Sequence, residues 1–155
     1  ELVAGTIKLV GTYQFPDPGL VDLGEAPEFM GQHLTNPPTV EGWHTGQEWI
    51  DGGALTERVN FAADQIGDLT KPGVRTLVSR LSCDGSPMSP EDLVESSLEL
   101  LGPVVVSDTT RNSLIAHIRP GGDLRFDNAE EREKSESRIV RMLQLAVSTR
   151  EYQFA

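Results

Sequence analysis

The chain is short of cysteine, of basic side chains and of long apolar runs, and each shortage removes a class of explanation. A single cysteine, Cys83, excludes an internal disulfide and any metal site built from several thiolates. Against 24 Asp and Glu there are 13 Lys and Arg, a formal net charge of -11. That balance repels phosphate backbones and anionic headgroups, so it argues against nucleic acid and membrane surfaces as partners and for a soluble acidic surface. The longest apolar candidate, Gly102 to Val106, is far below the ~18 residues a bilayer span needs, so no membrane insertion is expected. Aromatics are 6% of the chain and internal repeats are absent, which disfavours a solenoid. The opening Glu1, without an initiator methionine or signal peptide, suggests a processed product or a fragment of a larger protein.

What is present is punctuation. Fifteen glycines and ten prolines are spread over 155 residues, enough chain for one domain with its own core. Between the breaks, apolar residues recur at helical spacing. Val3, Ile7 and Val10 share a face and Gly11 offers a stop. A second helix is predicted from Glu25 to Leu34, with Asp22 and Glu25 at capping-box spacing and Ala26, Met30 and His33 inward. Leu55, Val59, Ala62 and Ile66 form a buried stripe capped by Asp51. Thr70 is read as the cap of a helix with Pro72 in its first turn and Val74, Leu77, Val78 and Leu81 inward.

Ser89-Pro90-Glu91-Asp92 combines a serine cap, a first-turn proline and first-turn acids, and Gly102-Pro103 is the matching stop; Leu93, Val94, Ser97, Leu98 and Leu101 face inward. Ser107 or Asp108 opens a helix burying Leu114, Ile115 and Ile118. The last helix is expected from Asp127, with Glu130 completing a capping box and Glu130–Lys134 and Arg132–Glu136 as four-residue pairs. It begins solvated and ends buried on Ile139, Met142, Leu143 and Ala146. No strand pair is predicted. The fold class is all-α: an irregular bundle of six to seven short helices, residues 1–155 forming a single helical region.

Residues 31–50 depart from this pattern. Both tryptophans, two of the three histidines and a double proline fall within this one stretch. Prolines stiffen its path, glycines permit positive backbone angles, and two indoles can bury large areas, so the segment is expected to pack over the Leu55 helix. The series Met30-Gly31-Gln32, Pro37-Pro38, Gly42-Trp43, Gly46 and Trp49-Ile50, followed by Leu55, Arg58 and Asn60-Phe61-Ala62, resembles the bacterial "domain of unknown function 1800" family. The segment Ile139 to Phe154 is similar to that family's last helix; His44 departs from the proline frequent at that place. The resemblance implies a largely helical, several-hundred-residue, exported protein, periplasmic or on the cell surface. This chain would be its carboxy-terminal region, with the amino-terminal remainder and a second exported protein as partners. It implies no reaction, cofactor or catalytic residue.

Chemistry can be weighed against packing at each candidate. His44, Glu48 and Asp51 could be read as metal ligands, but Gly42, Gly46, Gly52 and Gly53 oppose the helix that would align them, and a set of polar groups in water beside buried indoles is preferred. Ser86, Ser89 and Ser107 sit where turns and caps want serine, and no Gly-x-Ser-x-Gly is present. Trp43 and Trp49 could stack on sugar rings, yet core packing is favoured; with His44 and Arg58 they are the candidate ligand-binding residues. Arg58 is expected to bond carbonyls, Glu48 or Asp51, and Asn60 to bond backbone, fixing the loop. The favoured role is a structural or protein-interaction module, with no cofactor. An enzyme, hydrolase-like, whose site is shared with the amino-terminal remainder, and a carbohydrate-binding module using Trp43 and Trp49 are the alternatives.

Overall fold

A computed structural model describes residues 2–11, 25–33, 35–42, 50–82, 85–102 and 104–154. They form an all-α bundle: α1 (Leu2–Val10), α2 (Gly52–Gly67), α3 (Pro72–Ser82), α4 (Pro90–Leu101), α5 (Asp108–Ile118), α6 (Ala129–Val147) and a short α7 (Arg150–Gln153). Among the described residues no strand is present, only isolated bridges at Thr39–Gly42 and Met88–Leu124.

The long α6 is the axis of the bundle. It packs most extensively on α2, then on α4, α3 and α5, while α1 lies across α2 and α3. The reason is in its sequence. Ala129 to Lys134 is charged and solvated, whereas Ile139, Met142, Leu143, Ala146 and Val147 are within 1% of complete burial. They meet Ala62 and Ile66 of α2, Val74 and Val78 of α3, Leu93 and Val94 of α4, and Leu114 and Ile118 of α5 in one core.

The caps explain where the helices start. Asp51 accepts from the Ala54 amide at 2.7 Å, Ser89 from Asp92 at 3.1 Å and Ser107 from Thr110 at 3.2 Å, each satisfying an amide that has no partner within the helix. Gly102 stops α4 at φ 117°, a backbone angle glycine reaches without strain. Two expected caps differ. Thr70 turns its hydroxyl to the Asp68 carboxylate at 2.6 Å, which also accepts the Thr70 amide, so a local turn ahead of Pro72 replaces a threonine cap. At α6 the cap is Asn128, accepting from Glu131 at 2.9 Å, one residue beyond the expected Asp127–Glu130 box. Lys134 does pair with Glu130, at 2.6 Å, but Arg132 lies over the Phe126 ring rather than on Glu136.

Helical faces also shift. On α1 the fully buried residues are Thr6 and Val10, with Val3 and Ile7 half-buried. On α2 the inward stripe is Ala54, Arg58, Ala62 and Ile66, so Leu55 and Val59 stand at its edge. α3 and α4 bury the expected residues, Leu101 only partly. The helix predicted over 25–34 is a single turn at 25–29. Gly31, at φ 86°, donates to Glu28 O at 3.0 Å and Gln32 donates to Pro27 O at 2.8 Å, the paired bonds by which a left-handed glycine closes a helix. Past that stop His33 is exposed, 3.4 Å from Glu28, while Met30 is buried.

α6 breaks before the chain ends. The hydroxyls of Ser148 and Thr149 donate to the carbonyls of Gln144 and Ala146, both at 2.7 Å, taking up acceptors of the last turn. Thr149 then opens α7 by accepting from the Tyr152 amide. Residues ahead of α6 are secured twice: Leu124 exchanges main-chain bonds with Met88, and Ser135 both donates to Arg125 O at 2.7 Å and accepts from its amide at 3.0 Å.

Candidate functional site

The proline-glycine-tryptophan segment is described at its two flanks. Trp43, His44, Gly46, Glu48 and Trp49 lie outside the described residues, as does Cys83. On the amino-terminal flank Pro37 and Pro38 are exposed, and Gln32 is half-buried behind the Gly31 stop. Thr39 to Gly42 then closes a tight turn: the Gly42 amide donates to Thr39 O and the Thr39 hydroxyl donates to Gly42 O, both at 3.0 Å. Gly42 takes φ 101°, an angle that a side chain would strain. The turn thrusts Val40 fully into solvent.

On the other flank Asp51 is engaged in capping α2, which settles its place in a helix start. Arg58, two turns further in, is 8% exposed and donates from Nη2 to the main-chain carbonyl of Gln153. Burial pulls its guanidinium below the usual arginine pKa. Gln153 is itself completely buried, and its carboxamide donates to Val147 O at 2.7 Å. Arg58 therefore joins α2 to the carboxy-terminal turn, a connection from position 58 to position 153 that helical periodicity could not show. Asn60 points outward and is exposed. Neither Gly31, Gln32, Pro37 and Pro38 nor Asn60 converges with Arg58 on a common polar centre within the described residues.

α7 is held from a second side. Glu151 Oε1 accepts from the Thr110 hydroxyl at 2.7 Å and from the Ser107 amide at 3.2 Å, at the start of α5. These bonds, the Thr110 hydroxyl foremost, hold its carboxyl down at about 2. Tyr152 between them has its phenol pushed up by burial.

Sequence periodicity also missed a cleft. The end of α3, residues 85–88 and one side of α4 enclose about 580 Å³, with Leu81, Met88 and Leu100 as its apolar floor and Arg80, Asp92 and Glu99 on its walls. A compositional signal pointed there: Leu69 to Cys83 contains Lys71, Arg75 and Arg80 and no acid, in a chain of charge -11. Among the described residues no three His, Cys, Asp or Glu side chains converge as metal ligands would. Nor is any described helix long and apolar enough to cross a membrane.

An all-α bundle with an arginine-tied carboxy-terminal turn and a glycine-proline segment ahead of α2 is the class of protein these observations define. The chain belongs to the family described as protein of unknown function (DUF1800), whose model matches residues 1–154. Comparison with curated proteins and with solved structures gave no match.

Proposed function

We propose that this chain is a structural and protein-interaction module of an exported bacterial protein, a framework that holds the Trp43–Trp49 segment in place. The observation that carries this reading is the Arg58 tie. A guanidinium 8% exposed and bonded to the Gln153 carbonyl serves chain closure, since a cation that binds or activates a substrate must reach it. The partners that fit are the amino-terminal remainder of the same protein and another exported protein, reached through surfaces outside the core.

The test is to pair the chain with that amino-terminal remainder in sedimentation velocity while following tryptophan emission. The framework reading expects a stoichiometric complex, quencher-resistant indoles, and loss of both stability and association in Arg58→Met. Indole emission that titrates with an oligosaccharide, in a chain whose Arg58→Met variant folds as well as the parent, would overturn it.

A further inference from the structure

The acids of α4 are treated differently on its two flanks. Toward α5, Glu91 pairs with Arg119 and Glu95 with Arg111. On the opposite flank, among the described residues, no cation pairs with Asp92 or Glu99, both of them exposed. These two unmatched acids stand on the wall of the 580 Å³ cleft whose floor is Leu81, Met88 and Leu100. Arg80, on another wall, is already engaged within the chain and does not neutralise them. Glu99 is also placed against its own helix. It falls in the last turn of α4, where the helix dipole opposes an anion and no basic residue stands. An acid held there at a cost, above an apolar floor, is arranged for a cation from outside the chain.

We propose that this cleft docks a basic, extended segment of a partner protein. Two lysines or arginines of that segment reach Asp92 and Glu99, and an apolar side chain between them enters onto Leu81, Met88 and Leu100. Charge complementarity names the occupant. The field of a chain of charge -11 draws in a cationic segment, whereas a second copy brings its own -11 and is repelled as a whole. Spacing agrees. Asp92 and Glu99 are two helical turns apart on one side of α4, with Ser96 between them on the same wall, a separation of ~10 Å. In an extended peptide alternate side chains face one way, so a cation, an apolar residue and a second cation at every other position span ~13 Å. Flexible cationic side chains close that small difference. A polyamine or a divalent ion would meet the carboxylates but has no branched apolar group for the floor. The proposal rests on the interaction-module reading and names the chemistry of one partner.

The test uses fluorescence anisotropy with the fluorescein-labelled peptide Lys-Ser-Leu-Ser-Lys, a counterpart with alanine for leucine, and one with glutamates for lysines. The cleft expects the lysine-leucine peptide to bind, the alanine peptide to bind more weakly, the glutamate peptide not to bind, and affinity to fall with salt. Glu99→Lys, an exposed change whose fold is verified by circular dichroism, weakens binding about tenfold, an attractive surface contact having become a like-charge one. Glu133→Lys makes the same change of net charge on the solvated start of α6 and leaves the affinity close to the parent's. Equal binding of the leucine and alanine peptides, equal losses in Glu99→Lys and Glu133→Lys, or displacement by spermidine at lower concentration than by unlabelled peptide overturns the proposal. A chain that associates with its amino-terminal remainder but ignores the lysine-leucine peptide overturns the cleft alone and leaves the framework reading standing.

Discussion

Removing the Arg58 guanidinium leaves the Gln153 carbonyl at the edge of the core without the donor it has in the native chain. Methionine fills similar length with no donor, so Arg58→Met is expected to lose about 1.5–3 kcal/mol, the range for a hydrogen bond to a charged group. Urea unfolding reads this as a lower midpoint at unchanged slope; an unchanged midpoint would show that the tie contributes nothing. Glu151 acts at the same scale and adds a pH dependence. Its carboxyl falls from the usual 4.5 to about 2 in the folded chain, so the native state favours the anion. Its contribution is fully present above pH 4.5 and is lost as pH falls from there toward 2. Asp68, held low by the Thr70 hydroxyl, and Glu91, held low by Arg119, change in the same direction. Glu151→Gln keeps an acceptor for Thr110 but has no proton to gain, so its stability between pH 5 and 2 should fall less steeply than the parent's. Parallel acid limbs for the two proteins would remove Glu151 from the account.

Between elements, the tightest approach is main chain on main chain. A Cβ at Gly73 would lie 2.7 Å from Val10 Cα and closer still to the Leu9 carbonyl oxygen, neither of which can rotate away. Gly73→Ala must therefore push α1 off α3, at a cost on the order of 3 kcal/mol, and hydrogen exchange should rise in Leu2–Val10 before it rises in α6. Protection of α1 equal to the parent's would mean the contact yields cheaply. How far these elements could be read from sequence depended on which force set each one. α3 and α4 were legible because an apolar pattern confined to one face and a proline start coincide, and burial decides both. Ala62 and Ile66 of the α2 stripe are buried as expected, but its first half was misplaced by one position because Arg58 counts as polar in any periodicity, although its bond to Gln153 places it inward. The helix over 25–34 was overextended because Gly31 can sit inside a helix or end it, and the choice lies in the paired bonds from Gly31 and Gln32. The break between α6 and α7 depends on hydroxyls bonding back to carbonyls, which spacing does not encode. Of the candidate site, the Gly42 turn and the Asp51 cap were readable from local chemistry. The Arg58–Gln153 contact and the α3 cleft arise only when distant elements meet.

Across the whole molecule the surplus of acids opposes compaction, because folding brings 24 carboxylates and 13 basic groups onto one small surface. Added salt screens that repulsion but also screens the attractive pairs, so the sign depends on which is larger. Among the described residues, attractive pairs lie at the surface: Arg119–Glu91 has side chains 67% and 47% accessible, Lys134–Glu130 69% and 78%, and Arg111–Glu95 34% and 54%. Pairs of that kind contribute roughly 0–1 kcal/mol each. The tie made by Arg58 is to a buried neutral carbonyl and is hardly screened. With a Debye length of about 10 Å at 0.1 M salt, repulsion summed over a net charge of -11 is the larger quantity to be lost. Raising sodium chloride from about 0.01 to about 0.2 M is therefore expected to stabilise the chain by on the order of 1 kcal/mol, a Tm increase of ~2–4 °C. Arg75→Glu, which makes the molecule more acidic at an exposed position of α3, should steepen that salt dependence. A melting temperature that falls with salt would mean that ion pairs outweigh the net charge, and would place the organising electrostatics of this fold in pairs such as those of Glu91, Glu95 and Glu130 rather than in the overall excess of acid.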